Sequence, residues 1–140
     1  MKKFLFSAQG TWSSEALGIV RIIVGILLVK HGSETFDSEK MKMYTGWFEE
    51  RHYSNPAAWA YAGKIAELLA GIGFVLGLLT RLASIAAICA FTGIIFILGD
   101  KGKIFEGDQY PFLFILFALL FLFTGPGAFS IDGTIFKKKK

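Results

Sequence analysis

Apolar residues gather along the chain in four blocks, about Ala16 to Val29, Ala57 to Leu79, Leu82 to Gly99 and Tyr110 to Phe123, with most of the charge between them. The second is the clearest. Between Ala57 and Leu79 only Lys64 and Glu67 are charged, and at about 1.5 Å of rise per residue such a run spans a bilayer core. The first and last blocks, about 14 residues each, are short for a span and must borrow neighbours such as Lys30 to Phe36 and Asp108 to Gln109. The pattern predicts an all-α, integral membrane four-helix bundle in one domain over residues 1–140, with helices near 14–33, 57–79, 82–99 and 108–124.

The stretch from Glu34 to Asn55 is polar, yet Met41, Tyr44, Phe48 and Arg51 recur at helical spacing with Trp47 beside them, after a candidate cap at Ser38. It reads as a short amphipathic interfacial helix near 39–51, lying on the outer membrane surface over the mouth of the bundle. Trp47, Tyr53, Trp59, Tyr61 and Tyr110 then fall at one level, an aromatic belt rather than a base-stacking surface or ligand cage. No nucleic-acid partner is expected.

Within the first helix, Gly18, Arg21, Gly25, Leu28 and Gly32 fall on one stripe at 100° per residue, a smooth face that also carries an arginine. Ser13 and Ser14 are candidate caps and Trp12 a candidate interfacial anchor. The second helix has Asn55 as its expected cap and Pro56 at its first position, and Ala60, Gly63, Glu67, Gly71, Phe74 and Leu78 share a face. The tight turn at Thr80 and Arg81 makes helices two and three antiparallel. Helix three is small and branched packing material, and the phenylalanines of helix four suit lipid contact or packing. Gly125, Pro126 and Gly127 end that helix ahead of a short tail.

Composition agrees: 54% of residues are hydrophobic and the mean hydropathy is +0.53, high for a soluble chain of 140 residues. The start MKKFLFSAQG carries only a token apolar stretch and no small-residue cleavage site before Trp12, so the first span is expected to stay. The net charge of +4 matters through its distribution. With four spans, Lys2, Lys3, Arg81 and Lys137 to Lys140 share one side with both termini, while the acidic connectors lie opposite. The positive-inside rule then predicts a multi-pass protein of the inner (plasma) membrane with both termini cytoplasmic and lipid as its surroundings.

Cys89 is the only cysteine, which leaves no internal disulfide, C-x-x-C pair or cysteine metal cluster, and with His31 and His52 as the only histidines multi-ligand metal sites have little support. His52 belongs to the surface connector, so a bis-histidine haem with His31 is not expected. No phosphate loop, nucleophile elbow or internal repeat is present.

The remaining chemistry is the buried charge. With helix one running up and helix two back, Arg21, Glu67, Lys64 and His31 form an expected ladder, each about one side chain from the next. Buried membrane charges usually pair, so Arg21 and Glu67 are the expected interhelical clamp. Lys64 and Arg21 also donate hydrogen bonds to carbonyl oxygens, and a histidine exchanges protons near neutral pH. Such a constellation suits a quinone headgroup, a lipid headgroup or a proton path. On the quinone reading Arg21 and Lys64 orient the ligand, His31 moves its proton, and Glu67 relays or counterbalances charge.

At these residues the chain resembles the DoxX family of small four-helix membrane proteins. The shared elements are R-x-x-x-G (Arg21, Gly25), H-G (His31, Gly32), E-x-x-x-G (Glu67, Gly71), G-x-x-T-R (Gly77, Thr80, Arg81) and the GPGAFSIDG segment from Gly125 to Gly133. The resemblance covers nearly the whole chain from Ala16. It implies a membrane subunit in respiratory or sulfur-oxidation chemistry, similar to thiosulfate:quinone oxidoreductase subunits, with Arg21, His31 and Glu67 as site residues. The chain has no evident flavin, haem, iron–sulfur or dithiol group, so on this reading a redox partner protein supplies the electrons. The alternative is a non-enzymatic assembly or scaffolding protein in which Arg21 and Glu67 are a structural pair. A small proton or solute carrier is a third class, for which a homo-oligomer would enlarge the path.

Overall fold

The computed structural model describes residues 13–99 and 103–136. Trp12, Lys2, Lys3 and the lysines from 137 to 140, which carried the anchor and much of the charge asymmetry, lie outside them. Among the described residues, six helices follow one another: α1 Ser13–Gly32, α2 Ser38–Glu50, α3 Pro56–Leu76, α4 Thr80–Gly93, α5 Gln109–Thr124 and α6 Ile131–Ile135. A 3₁₀ turn at Ser33–Phe36 extends α1, and a π-helical turn at Ile94–Leu98 extends α4. Three of these stretches, Ser13–Phe36, Pro56–Leu76 and Thr80–Leu98, are long and apolar enough to cross a membrane, and Gln109–Thr124 is a shorter apolar helix. No described residue forms a strand.

The helix starts follow local chemistry, though not always through the expected residue. Asp37, not Ser38, caps α2, accepting hydrogen bonds from the backbone nitrogens of Glu39 and Lys40 at 3.0 and 3.2 Å. Pro56 opens α3, where its missing N–H costs nothing. Asn55 serves there through its left-handed backbone (φ 57°) and its carbonyl, with no side-chain cap. The turn between α3 and α4 is Gly77 to Leu79, so Thr80 already belongs to α4. Both Gly77 (φ 62°) and Leu79 (φ 48°) are left-handed. That conformation is easy for the glycine and strained for the leucine.

The expected stripe is the buried face of α1: Gly18, Arg21, Val24, Gly25, Leu28 and Gly32. It lies against Gly71, Phe74 and Val75 of α3 so closely that a Cβ on Gly25 would fall 2.7 Å from the Val75 nitrogen, and one on Gly71 would fall 2.6 Å from the Val29 nitrogen. Small residues are the condition for that approach. The core continues across α4 and α5, with Phe74 edge-on to Phe121 at 5.1 Å and Phe91 stacked on Phe114 at 4.9 Å. A second cluster seats α2 on the start of α3 and the π turn through Met41, Phe48 and Ala60.

Candidate functional site

Above the core, between α3, α4, α5 and α2, is a cavity of about 810 Å³. Its walls are mostly apolar, with Trp47, Trp59, Phe91 and Phe114 supplying rings and Cys89 a thiol. His31 from the end of α1 and Lys64 and Glu67 from α3 line it, with the hydroxyl-bearing rings of Tyr44 and Tyr110. Thus Trp47, Trp59 and Tyr110, each read from sequence as part of a belt, contribute to a cavity wall.

The π turn shapes the far wall. Ile94, Ile97 and Leu98 all face the cavity, and the wider turn leaves carbonyl groups out of the usual α pattern. Arg51 at the end of α2 donates a 2.8 Å hydrogen bond to the Leu98 carbonyl, tying the connector to this turn. Sequence spacing marked Arg51 only as part of the connector's helical repeat.

Lys64 is the centre of the polar cluster. Its Nζ lies 3.0 Å from Glu67 Oε2 and 3.1 Å from Glu34 Oε2, and 4.6 Å from the centre of the Tyr44 ring. Two carboxylates and an aromatic face together replace much of the hydration that a lysine loses on leaving water. Glu34 in turn accepts from Tyr44 Oη at 2.5 Å and from Lys40 Nζ at 2.6 Å. Burial, reinforced by the Glu34 carboxylate, pushes the Tyr44 phenol above the usual range, while the hydrogen bond to Glu34 raises Lys40. His31 lies near enough to Glu67 to act on its charge and meets Phe114 edge-on at 6.2 Å. Sequence reasoning did not include Glu34, Lys40 or Tyr44 in the site. The spacing of Tyr44 in the amphipathic repeat, on the face turned to α3, was the available signal.

Arg21 stands elsewhere, and the expected Arg21–Glu67 clamp is corrected. Gly32 packs on Leu68 while Arg21 packs by Gly77, so eleven residues of helix, about 16 Å, separate Arg21 from the level of Glu67. Apolar block boundaries had suggested a different offset. The fully buried guanidinium donates from Nε to the Pro126 carbonyl at 2.7 Å, from Nη2 to Ala128 and Phe129 at 3.1 and 2.9 Å, and from Nη1 to Phe74. All its nitrogens are engaged by backbone carbonyls, and it does not line the cavity in which Lys64 and Glu67 stand. It anchors the segment after α5, where a short tail was expected. That segment is also held by the Ala128 nitrogen donating to Ser14 and by Asp132, which binds the α3–α4 turn.

Among the described residues, no group of three or more His, Cys, Asp or Glu side chains is placed to hold a metal ion. What the cavity offers is one ammonium donor, one buried carboxylate and one imidazole beside a large apolar volume lined with rings.

A family model described as DoxX matches residues 16–100. The chain is 30% identical over 128 residues to an uncharacterized protein of Haemophilus influenzae, covering 87% of this chain and 92% of that one. It is 25% identical over 122 residues to a Bacillus subtilis protein named "Putative oxidoreductase CatD", covering 87% and 88%. No solved structure matches the chain.

Proposed function

The chain is a membrane protein of the DoxX family, and from that premise we propose that it is the membrane subunit of a quinone-linked oxidoreductase, binding a quinone headgroup in the cavity beside Lys64. The observation that carries this reading is the Lys64–Glu67 pair set in the wall of an otherwise apolar, ring-lined cavity of about 810 Å³, a volume typical of small-molecule sites. A quinone is flat, apolar and bears carbonyl acceptors. The Lys64 ammonium would donate to one carbonyl oxygen, Trp59 and Phe114 would pack its ring, and His31 and Glu67 would hold or move protons. When bound, the quinone accepts two electrons and two protons to become the quinol; a partner dehydrogenase would supply the electrons. The oxidoreductase name of the Bacillus subtilis relative points the same way.

In this reading the four apolar helices α1, α3, α4 and α5 form a transmembrane bundle in one membrane domain. α2 lies along the outer interface, roofing the cavity, and both termini are cytoplasmic in the plasma membrane. The short α5 reaches across with help from the loop before it.

The test is to purify the protein from its native membrane in mild detergent, extract it, and identify bound quinone by mass spectrometry. Stoichiometric quinone that is lost in a well-folded His31→Ala or Lys64→Gln variant supports the reading. Quinone-free, well-folded wild-type protein that also fails to take up added quinone overturns it and favours the assembly role.

A further inference from the structure

The polar side chains around Lys64 continue beyond the cavity as a file toward water. Lys40 Nζ and Tyr44 Oη both meet the Glu34 carboxylate, at 2.6 and 2.5 Å. Lys64 Nζ bridges Glu34 Oε2 and Glu67 Oε2 at 3.1 and 3.0 Å. Side-chain exposure falls in the same order, from 47% at Lys40 through 17% at Glu34 and 12% at Lys64 to 2% at Glu67. The file therefore begins at the surface beside α2, ends at a carboxylate in the cavity wall, and has no gap longer than a hydrogen-bonded contact.

We propose that this file is a proton path in which Glu34, held as a carboxylate by Lys40, Tyr44 and Lys64, is protonated from water at the α2 face only in passing and hands the proton through Lys64 to Glu67. The transfer balances within the three groups. A Glu34 carboxyl gives its proton to Lys64 as the Lys64 ammonium gives one to Glu67, so Glu34 returns to carboxylate, Lys64 keeps its charge and Glu67 becomes the acid. No oxidant or reductant enters. The groups facing this exchange are Lys40 and Tyr44 from α2, Lys64 from α3 and His31 from α1. Lys40 and Tyr44 donate to the Glu34 carboxylate and hold it in place, which makes them positioning residues. A clamp between α1 and α3 would need only one ion pair. Here a second carboxylate connects the buried one to solvent, and the buried one lines a cavity.

Use of the path to protonate a quinone rests on the function proposed above; the path itself does not. The experiment is infrared difference spectroscopy of the full-length protein in lipid nanodiscs, following hydrogen–deuterium exchange of the Glu67 carboxyl band identified by its loss in Glu67→Gln. In Glu34→Gln the exchange should slow by about a hundredfold or more, the range a positioned acid–base group contributes. Glu34→Asp, which keeps a titratable group but shortens its reach, should lie between. Unchanged exchange in folded Glu34→Gln overturns the path, as does a Glu67 that never shows a carboxyl band across the accessible pH range. Quinone extraction on the same samples separates the two ideas, because a quinone-free protein with Glu34-dependent exchange ends the quinone reading alone.

Discussion

Asp132 in α6 accepts the backbone N–H of Thr80 at 2.8 Å, fifty-two residues earlier in the chain, and so caps α4 from outside. Its other oxygen takes the Leu79 N–H at the same distance, and its own nitrogen donates to the Gly77 carbonyl. One side chain thus closes the strained turn between α3 and α4. Replacing it should cost about 1–2 kcal/mol, the usual range for a lost cap, with Asp132→Asn milder than Asp132→Ala. Thermal unfolding in detergent measures the difference; equal stability of Asp132→Ala and wild type would remove the cap from the account.

Arg21 makes its contacts as a planar fork reaching several carbonyls at once. Arg21→Lys keeps the charge but cannot span them, and should destabilise by about 2–4 kcal/mol because buried acceptors lose their donors. Since Arg21 lies outside the cavity, the folded fraction should bind ligand as wild type does. Unfolding curves and ligand titration of the same preparation check both halves.

Gly25 and Gly46 should respond to alanine in opposite directions. Gly25→Ala drives a methyl against the backbone of α3 and should cost about 1–3 kcal/mol from overpacking. Gly46, inside α2, has open space around its Cβ position, so Gly46→Ala should gain about 0.5–1 kcal/mol from helix propensity. Melting temperatures of the two variants decide this, and a shared sign would contradict the described packing.

Cys89 is exposed and lines the cavity. A small membrane-permeant thiol reagent should label it in the ligand-free protein, and a saturating quinone analogue with no site for thiol addition should slow that labelling severalfold. Mass spectrometry of the intact protein follows the adduct.

The Tyr44 phenol, raised above its ordinary value by burial and by Glu34, gives a prediction for alkaline pH. A folded pKa above the unfolded one means a contribution fully present below the ordinary phenol pKa near 10 and lost as pH rises through the folded value. Alkaline titration of the phenolate absorbance should show a late step that is missing in Tyr44→Phe. That variant should also lose less stability than wild type as pH climbs above 10. A step of unchanged height in Tyr44→Phe would contradict it.

The faces of the helices were legible because a period of 3.6 residues names the side a residue occupies: Gly18, Arg21, Gly25, Leu28 and Gly32 all face inward as the spacing said. The offset of one helix along another was not, since periodicity says nothing about axial position. Contacts of individual glycines set that offset, and the Arg21–Glu67 pairing failed for this reason. Glu34 was read as the start of a polar connector because its partners Lys40, Tyr44 and Lys64 come from two other helices. The aromatic residues had a sufficient local explanation as a belt, and only the packing of α2 against α3 and the π turn brings several of them around one volume. The tail after α5 offered Gly and Pro as stop signals, whereas its anchoring depends on acceptors that are backbone carbonyls and leave no trace in residue type.

The π turn at Ile94–Leu98 makes the fourth helix two devices in series. A π turn holds about one residue more than an α turn, so the residues beyond it are rotated by roughly 100° relative to an unbroken helix. The inner stretch, Thr80 to Gly93, holds the core with Ala83, Ala87 and Phe91 and also lines the inner part of the cavity, and the π turn completes the cavity wall with Ile94, Ile97 and Leu98. A change of a single residue in length at this turn would re-aim the outer wall while leaving the inner packing in register. Pocket shape can therefore vary between related chains without a new solution for the core.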